Sequence, residues 1–350
     1  MRMDRQARAV RYHGVGDLRI EDVVVPSPVS HEVTVQVAYA GICGSDLHEY
    51  YAAQTVTPVD PHPLTGARLP VVLGHEFAGT VVETGPDVTA VAVGDRVAVR
   101  PTYSCGHCPA CRRGHPNSCT DLAFHGLSAH GGGLSTYTTV TDSMLFALPG
   151  AVGLREGALV EPLAVSHHGV AMLLDAAPAV AFVGGAGPIG LGAVAALRAG
   201  GVGTVVVAEP SPVRRDLAAK MGATDVYDPA DRDLADVLAG RVLDAAVEAA
   251  GRGDVVAEAV ANLGPRGRLV LLGLHEAPMS FDPTSMLYRE VTMSGSSTYT
   301  DDDFRAVVDR LADGTYPTGD WTEVRPVDEV LTAFADLRAG TATKILLDLT

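Results

Sequence analysis

Hydrophobic and polar positions alternate in short runs along roughly the first 155 residues of the chain. The alternation is clear within residues 9–40 and includes Val33–Val37. Val71–Leu73, Thr80–Thr84 and Arg96–Val99 are further short apolar runs, separated by turn signals such as Gly-Pro and Gly-Asp. This pattern predicts short strands joined by loops, in a Greek-key or barrel-like β domain.

Residues 51–70 interrupt this alternation with a long segment that has no periodicity. The segment contains Pro58, Pro61, Pro63 and Pro70 and begins next to two tyrosines, Tyr50 and Tyr51. A long insertion without regular structure is more typical of a functional loop than of packing. We interpret it as a substrate loop, with a simple linker as the alternative.

From about Glu156 onward, continuous apolar runs alternate with stretches of helical periodicity. A glycine turn and a helix through Leu197 follow the first predicted strand, and a helix over Val213–Met221 follows the second. Apolar strands that alternate with helices predict a parallel sheet covered on both faces, as in a doubly wound dinucleotide-binding domain. The predicted strands are Ala179–Val183, Thr204–Ala208, Asp225–Tyr227, Ala245–Val247, Leu269–Leu272 and Val291–Met293.

The pattern changes again after Ser297. Thr300, followed by three aspartates, predicts an N-cap and a helix through Leu311, and a second helix is predicted over Asp328–Leu337. A terminal strand is predicted over Lys344–Leu349, and we expect this tail to pack back on the N-terminal domain. The predicted fold class is therefore α/β, with residues 1–155 and 297–350 forming a β-rich domain and residues 156–296 forming the doubly wound domain.

Composition narrows the range of partners. The chain has 350 residues and a formal net charge of −16, which argues against binding to nucleic acid or to anionic membrane surfaces. No run of 18 apolar residues predicts a membrane span, and no apolar stretch follows the N-terminal charges as in a signal peptide. Four of the five cysteines lie at metal-type spacing, so that no disulfide framework remains. These features predict a cytoplasmic protein.

A short segment, residues 101–120, has the most specific spacing in the chain. Four thiolates complete a closed tetrahedral Zn²⁺ site that stabilises a lobe too small to have its own core. His107 and His115 are alternative ligands and an iron–sulfur cluster is an alternative metal group, but the complete set of thiolates favours structural zinc. The predicted ligands are Cys105, Cys108, Cys111 and Cys119.

A glycine-rich loop follows the strand at Ala179–Val183 and precedes a helix, which is the context that a G-x-G-x-x-G motif requires. Its glycines let backbone N–H groups approach a pyrophosphate at the N-terminus of the helix. The predicted cofactor-binding residues of this loop are Gly185, Gly187, Pro188, Ile189 and Gly190.

Glu209 follows Gly190 by 19 residues, at the end of the next predicted strand. A carboxylate there accepts hydrogen bonds from ribose hydroxyls and repels a 2′-phosphate, so that NAD(H) is favoured over NADP(H). Ser211, Arg214 and Arg215 lie just beyond and argue in the other direction, because they can hold a 2′-phosphate. Arg214 is counted among the predicted cofactor-binding residues.

Three separate fragments provide the ligand types of an open catalytic zinc site, namely Cys43, His75 and Glu161. A thiolate and a carboxylate neutralise Zn²⁺, an imidazole adds a third bond, and the fourth position stays open for water or an alcohol. Zinc lowers the pKa of a bound hydroxyl, which prepares an alcohol to release hydride to a nicotinamide. With the four-thiolate site, the prediction is two zinc ions per chain.

The residues next to Cys43 predict a route for the proton. Ser45 can take the proton from the bound alcohol, and His48 can pass it to solvent. Asp46 is placed to orient the His75 ring from behind. The neighbouring His167 and His168 are expected to pack on a helix after Glu161.

The motifs Cys43-Gly-Ser-Asp-x-His48 and Gly74-His-Glu76, the four-cysteine lobe, Glu161-Pro-Leu163 and the glycine loop occur in this order. Together they resemble the zinc-dependent medium-chain alcohol dehydrogenases over essentially the whole chain. Glu161, where other alcohol dehydrogenases have cysteine, looks like the polyol branch of sorbitol, threonine and butanediol dehydrogenases. The segment 61–66 before Leu69 and Pro70 is similar to 2,3-butanediol dehydrogenases.

The resemblance implies a β-rich GroES-like catalytic domain built from both ends of the chain, a Rossmann domain, and a homotetramer or homodimer. It implies hydride transfer between NAD(H) and a secondary alcohol or vicinal diol, of the 2,3-butanediol/acetoin kind, with the ketone or acyloin as the other partner. A sorbitol-type polyol, amino-alcohol or cyclitol dehydrogenase is the alternative. A non-catalytic nucleotide-binding member is disfavoured because the ligands and the relay are retained. Glu161 is the favoured ligand and Glu76 its catalytic neighbour, although the family leaves open which of them binds zinc.

Overall fold

The computed structural model describes residues 4–52, 56–319 and 321–350, and it divides into two compact units. The first unit comprises Met1–Glu161, Thr300–Ala312 and Thr322–Thr350, and the second comprises Pro162–Tyr299 and Asp313–Trp321. The ranges differ at their edges from the predicted domains, because residues 156–161 group with the first unit while residues 297–299 and 313–321 group with the second.

The strands of the described chain are numbered in chain order. They are β1 (Arg5–Gly14), β2 (Asp17–Val25), β3 (Glu32–Gly41), β4 (Val71–Val72), β5 (Glu76–Thr84), β6 (Arg96–Val99), β7 (Thr102–Tyr103), β8 (Ala123–Phe124), β9 (Tyr137–Thr141), β10 (Leu145–Ala147), β11 (Val180–Gly184), β12 (Thr204–Ala208), β13 (Asp225–Tyr227), β14 (Leu243–Glu248), β15 (Leu263–Leu271), β16 (Thr292–Gly295), β17 (Glu323–Pro326) and β18 (Ile345–Asp348).

The helices are numbered in the same way. They are α1 (Gly44–Tyr51), α2 (Pro109–Arg112), α3 (Leu154–Gly157), α4 (Val160–Leu174), α5 (Pro188–Ala199), α6 (Pro212–Lys220), α7 (Leu234–Leu238), α8 (Gly253–Asn262), α9 (Thr284–Leu287), α10 (Asp301–Ala312) and α11 (Val330–Ala339). Among the helices described, none combines the length and the apolar character that crossing a bilayer requires.

The first unit is built mainly from antiparallel strands. One sheet has the order β2-β1-β4, a second has the order β10-β6-β5-β3-β18-β17 with β9 also paired to β3, and β7 pairs with β8. The C-terminal strand β18 lies antiparallel to β3, with Leu346 opposite Gly41. The tail therefore completes the sheet of the N-terminal segment, which confirms the prediction that it packs back on that domain.

One apolar core joins the two ends of the chain within the first unit. Side chains from β1 and β3, such as Tyr12 and Val35, belong to the same buried cluster as Val330 and Phe334 of α11. Val35 and Phe334 are fully buried, and each removes a large apolar surface from water. This shared core keeps the carboxyl end of β3, where α1 begins, fixed against the C-terminal strand.

The second unit contains a parallel sheet with the order β13-β12-β11-β14-β15-β16. All five pairings in this sheet are parallel. The strand order reverses between β11 and β14, so that the chain runs outward in one direction and then in the other. This is the doubly wound arrangement predicted from the alternation of strands and helices, and its carboxyl edge is the usual place for a ligand.

Candidate metal centres and dinucleotide loop

Strand pairing assembles the first candidate metal centre. β3 and β5 are antiparallel with Gly41 opposite Glu76, which brings the segment after β3 beside the residue that precedes β5. Cys43 is the N-cap of α1, and His75 directly precedes β5. The thiol, imidazole and carboxylate donor atoms of Cys43, His75 and Glu76 lie within 4.8 Å of one another. Two of the predicted ligands are thus brought together, and Glu76 lies with them.

Asp46 connects this centre to α1. It is fully buried, and its Oδ2 accepts a hydrogen bond from the Cys43 backbone N–H at 2.9 Å, as in a capping box. Its Oδ1 lies 3.6 Å from His75 Nδ1. Burial raises the pKa of Asp46 to about 6, although the nearby His75 opposes this shift. Asp46 is therefore in the predicted position behind the ring.

His75 lies in a pocket of negative charge. Burial opposes its protonated form, but the charges of Asp46 and Cys43 outweigh burial and raise the pKa of His75 well above its usual value. Groups that attract a proton this strongly also attract a metal cation. With Nδ1 directed at Asp46, Nε2 is the ring atom on the side where a metal would bind, and Ser45 Oγ lies 3.2 Å from it. The donor set fits Zn²⁺.

Lys344 is a member of this site that the sequence pattern did not reveal. It is 1% exposed, its Nζ donates to the backbone oxygen of Ile42 at 2.9 Å, and it forms a short ion pair with the Glu76 carboxylate. Burial lowers the pKa of Lys344, but Glu76 and Cys43 outweigh that effect and raise it. The available signal was a lysine at the start of the predicted apolar strand Lys344–Leu349, because lysine is almost never fully buried unless it is paired.

Glu161 is buried in the first turn of α4. Its charge contributes to raising the pKa of both His75 and Lys344, so it lies near the centre. It does not belong to the set of donors within 4.8 Å of one another that the described residues form. The carboxylate in that set is Glu76.

The predicted relay residues share one helix. Ser45 Oγ lies 3.2 Å from His75 Nε2, at hydrogen-bonding distance. His48 follows Ser45 by three residues in α1, so that the two side chains are neighbours on one face of the helix. His48 is half-buried and Ser45 partly so. The hydroxyl thus lies next to the candidate ligand, with an imidazole farther along the helix.

Tyr51 is the last residue of α1, and the rest of the segment 51–70 consists of turns and irregular backbone where the structure describes it; residues 53–55 lie outside the described residues. The buried carboxylate of Glu49 accepts hydrogen bonds from the backbone N–H groups of Val56 and Thr57 at 2.7 and 3.3 Å. Thr65 Oγ1 donates to the Ser128 carbonyl at 2.6 Å. The later part of the segment lines a cavity of about 790 Å³ that Cys43, His75 and Glu76 do not line.

The second candidate metal centre occupies the predicted lobe. Turns around α2 and a 3-10 helix at Pro116–Ser118 bring the four thiols within 4.8 Å of one another. All five cysteines of the chain are free, so the four are available as ligands. The backbone N–H groups of Cys105 and Cys108 point at sulfur atoms, at 3.2 and 3.3 Å. Such N–H groups stabilise thiolates, and those of Cys111 and Thr120 lower the pKa of Cys108 to about 5. The set fits Zn²⁺.

The glycine loop lies between β11 and α5 as predicted. Gly185 has φ +94°, and a Cβ on Gly190 would come within 1.9 Å of the Gly185 carbonyl oxygen, so glycine is required at both positions. Gly187 is the N-cap of α5 with Pro188 as the first helical residue, and the space where its Cβ would lie is open. This leaves the N-terminus of a 12-residue helix accessible to an anion. The loop fits a dinucleotide phosphate.

Glu209 lies just after β12 at the same edge of the sheet. It is 5% exposed, and its two oxygens accept from the backbone N–H groups of Ala186 and Ser211 at 2.8 and 2.9 Å. It therefore fixes the glycine loop directly. Each oxygen keeps a further lone pair that can accept from a ribose hydroxyl.

Two of the three residues that argued for a 2′-phosphate, Ser211 and Arg215, have structural roles. Ser211 caps α6 by accepting from the Arg214 N–H at 3.4 Å. Arg215 donates to the carbonyls of Glu209 and Pro210 and to Asp228, each at 2.7–2.9 Å. Arg214 lies half-buried in the first turn of α6. The Arg215 guanidinium is thus already engaged by three acceptors.

Comparison with known proteins agrees with both units. The family profile "Alcohol dehydrogenase GroES-like domain" matches residues 29–150, and the profile "Zinc-binding dehydrogenase" matches residues 188–313. The chain is 38% identical over 317 residues to the (R,R)-butanediol dehydrogenase of Bacillus subtilis (strain 168), covering 88% of this chain and 89% of that protein. It is 34% identical over 280 residues to the sorbitol dehydrogenase of the same strain, covering 78% and 77% of the two chains.

Solved structures of zinc-binding and alcohol dehydrogenases have the same fold as this chain. The crystal structure of 2R,3R-butanediol dehydrogenase from Bacillus subtilis superposes with a TM-score of 0.89 at 34% identity, covering 98% of this chain and 99% of that one. A zinc-binding dehydrogenase structure from Sinorhizobium meliloti 1021, bound to NADP, has a TM-score of 0.89 at 31% identity. An alcohol dehydrogenase structure from Escherichia coli CFT073, complexed with NADH, has a TM-score of 0.87 at 29% identity. Each of these two superpositions covers 98% of this chain and 99% of the chain in the solved structure.

A GroES-like unit with two metal-type clusters and a doubly wound unit with a glycine loop define a zinc-binding dehydrogenase. The chain belongs to the zinc-dependent medium-chain alcohol dehydrogenase family. The predicted fold class, family and enzyme class are confirmed.

Proposed function

We propose that the chain transfers hydride between NAD(H) and a secondary alcohol or vicinal diol, of the 2,3-butanediol and acetoin kind. The observation that carries this proposal is the cluster of the half-buried Cys43 with the buried His75 and Glu76, with Ser45 at hydrogen-bonding distance from the imidazole. In this proposal the first unit holds the substrate and the second holds the cofactor. The similarity to a butanediol dehydrogenase supports the choice of substrate class.

In the proposed site, Cys43, His75 and Glu161 bind the catalytic zinc. The bound ion supplies a Lewis acid that lowers the pKa of the substrate hydroxyl. Glu76 is nearer to Cys43 and His75, but its carboxylate is already engaged in a short ion pair with the buried Lys344. An ammonium group that pairs with a carboxylate competes with a metal ion for its oxygens. This pairing supports Glu161 as the ligand and Glu76 as its charged neighbour.

We assign a second, structural zinc to Cys105, Cys108, Cys111 and Cys119. The lobe that carries them consists of turns and very short elements, and a closed four-thiolate site is the usual means of stabilising such a segment. Two zinc ions per chain follow from these two assignments.

We assign the proton route to α1. Ser45 contacts the candidate ligand His75 and is placed to accept a proton from the substrate hydroxyl as it is oxidised. His48, one turn farther along the same helix face, passes the proton onward, because an imidazole can accept a proton at one ring nitrogen and release one from the other. Asp46 keeps the His75 ring oriented through the Nδ1 side.

We assign the cofactor as NAD(H), with the pyrophosphate over Gly187 at the N-terminus of α5. Glu209 accepts from the ribose and repels a 2′-phosphate. The engagement of Arg215 with two carbonyls and Asp228 supports the preference, because it leaves this cation less free for a phosphate.

The test is a panel of vicinal diols, acyloins, secondary alcohols and polyols, assayed with NAD and with NADP on the zinc-loaded enzyme. The expected result is highest kcat/KM for a vicinal diol with NAD, and loss of turnover after chelation. Full activity after the metal is removed, or a clear preference for NADP, would contradict the corresponding part of the proposal.

A sorbitol-type polyol, amino-alcohol or cyclitol dehydrogenase is the second candidate. The 34% identity to a sorbitol dehydrogenase favours it specifically. In the same panel, a sugar polyol with a kcat/KM above that of every diol would select this candidate. The cytoplasmic location and the homotetrameric or homodimeric state stay predictions.

A further inference from the structure

A buried carboxylate–imidazole pair lies at the carboxyl edge of the parallel sheet and belongs to none of the sites above. Glu248 is the last residue of β14 and is 0% exposed. His275 follows the neighbouring strand β15 by four residues, and its Nε2 lies 3.1 Å from Glu248 Oε2. The pair therefore joins the ends of two adjacent parallel strands.

Glu248 fixes the form of the His275 ring. Its other oxygen, Oε1, accepts from the backbone N–H groups of Ala250 and Arg252 at 2.8 and 3.2 Å. A carboxylate held in this way takes a hydrogen bond from the imidazole, so the Nε2–H group donates. In the neutral ring this leaves Nδ1 as an acceptor.

The Nδ1 atom of His275 is buried and has no hydrogen-bond partner among the residues that the structure describes. An unpaired buried acceptor is unfavourable, and native proteins rarely retain one without a reason. A ligand or a bound water that donates to Nδ1 would remove this cost.

The backbone around the pair is tightly packed. Leu272 and Gly273 donate to the Glu248 carbonyl oxygen at 2.8 and 3.1 Å. A Cβ on Gly273 would come within 2.3 Å of the Gly251 backbone nitrogen and within 2.6 Å of a Glu248 carboxylate oxygen. The loops after β14 and β15 therefore leave no room for a side chain between them. The position of the unpaired Nδ1 atom is fixed by this packing.

The order of the strands in the parallel sheet indicates which part of a bound dinucleotide would lie next to His275. The glycine loop follows β11 and Glu209 follows β12, on one side of the point where the strand order reverses. Glu248 ends β14 and His275 follows β15, on the other side. A dinucleotide in this fold spans the crevice at that point. If the adenosine ribose lies at Glu209, the second nucleoside lies on the side of β14 and β15.

We propose that His275 Nδ1 accepts a hydrogen bond from the nicotinamide nucleoside of the cofactor, given either by a ribose hydroxyl or by the carboxamide N–H. The inference rests on the proposed dinucleotide function. Glu248 is the positioning residue that holds the ring in the accepting form.

Two amide variants separate this role from a purely structural one. Asn places a polar atom where His has Nδ1, while Gln places one where His has Nε2. His275→Gln keeps a donor for Glu248 and loses the group directed at the cofactor. His275→Asn keeps a polar group directed at the cofactor and loses the donor for Glu248. The measurement is the Kd of NADH on zinc-loaded protein, by fluorescence titration, with the melting temperature of each variant recorded without NADH.

The expected result is that H275Q binds NADH about three- to tenfold more weakly than the native protein, as for loss of one hydrogen bond, while H275N stays within about twofold. ADP, which lacks the second nucleoside, binds equally to all three proteins. ADP-ribose distinguishes the two donors: a loss of its affinity in H275Q assigns the ribose hydroxyl, and no loss assigns the carboxamide.

Other patterns overturn the inference. Native-like NADH affinity in H275Q means that Nδ1 faces a water or nothing. Weaker binding in H275N than in H275Q means that the ring acts through Glu248 alone. If the native protein binds neither NADH nor ADP, the proposed dinucleotide function itself fails, and this result is distinct from a failure of the His275 assignment.

Discussion

At the scale of single residues, the buried charges of the first unit occur in sets of opposite sign. Asp46, Glu76 and Glu161 bring negative charge to one small region, and His75 and Lys344 bring the opposing charge. Isolated charges of this kind are too costly to bury, so each must have a partner or a metal ion. The arrangement explains why an apolar core tolerates so many ionisable groups at one point.

Removing the ammonium group of Lys344 is expected to destabilise the fold strongly. Lys344→Met keeps the length of the side chain but leaves Glu76 buried and unpaired, which costs about 3–5 kcal/mol in comparable cases. Urea denaturation of the zinc-loaded protein measures this loss. Lys220→Met, at the exposed end of α6, is the matched control and is expected to change stability by less than about 0.5 kcal/mol.

Glu76, the partner of Lys344, allows a second comparison of unfolding stability. Adding Glu76→Gln to the Lys344→Met variant removes the unpaired charge, and we expect it to recover part of the lost stability. A double variant less stable than Lys344→Met alone would show that the ion pair is not the source of the effect.

Exchange of one carboxylate for an amide is expected to identify the zinc ligand. If Glu161 binds the catalytic ion, Glu161→Gln lowers the bound zinc from about two ions per chain to about one, because a neutral amide oxygen is a poor zinc ligand. Glu76→Gln keeps both ions. Metal analysis of dialysed protein by mass spectrometry measures the content. Zinc loss in Glu76→Gln with retention in Glu161→Gln would reverse the assignment.

At the scale of helices and strands, periodicity predicted the second unit closely. The strand predicted at Asp225–Tyr227 has those bounds in the structure, and the helix predicted over Val213–Met221 is α6, Pro212–Lys220. Buried parallel strands are continuously apolar, which makes them easy to recognise. β17, with the sequence Glu-Val-Arg-Pro, was not predicted, because an exposed edge strand lacks this signal.

The four-cysteine lobe is an element whose stability depends on its metal. We expect Cys108→Ser to lose one zinc ion and to open the lobe, since structural zinc contributes about 10–16 kcal/mol in zinc-finger peptides. Arg112 and Arg113 are exposed in the lobe and are trypsin sites, so their rate of cleavage reports the opening. Cys43→Ser, which removes a ligand of the other centre, is the control and leaves that cleavage slow. Equal cleavage rates in both variants would contradict a separate structural site.

At the scale of the whole molecule, the order of motifs along the chain predicted the family, but it did not predict how distant segments meet. Lys344 and Glu76 are 268 positions apart, and they touch because β18 and β5 both pair with β3. Contacts of this kind depend on sheet register, which periodicity within one segment does not specify. The ligand types of the candidate site were therefore predictable, while the lysine that neutralises it was not.

The stability of the whole fold is expected to fall below neutral pH because of one buried histidine. His125 is fully buried between Tyr103 and Thr138, which its ring nitrogens contact at 3.1 and 2.6 Å, and burial lowers its pKa to about 3. The unfolded chain takes up a proton at this residue below about pH 6.5, while the folded chain does not. Stability from this group is therefore complete above pH 6.5 and decreases as the pH falls toward 3, by up to about 1.4 kcal/mol per pH unit.

His125→Asn removes the titrating group and is expected to flatten the dependence of unfolding free energy on pH between 7 and 5, whatever its effect on absolute stability. Urea denaturation at several pH values, with zinc content checked at each, gives the two slopes. His130→Asn, at an exposed histidine five residues away, is the control and is expected to keep the native slope. If His125→Asn and the native protein have the same slope, the acid sensitivity originates elsewhere, and His125 must be protonated in the folded state.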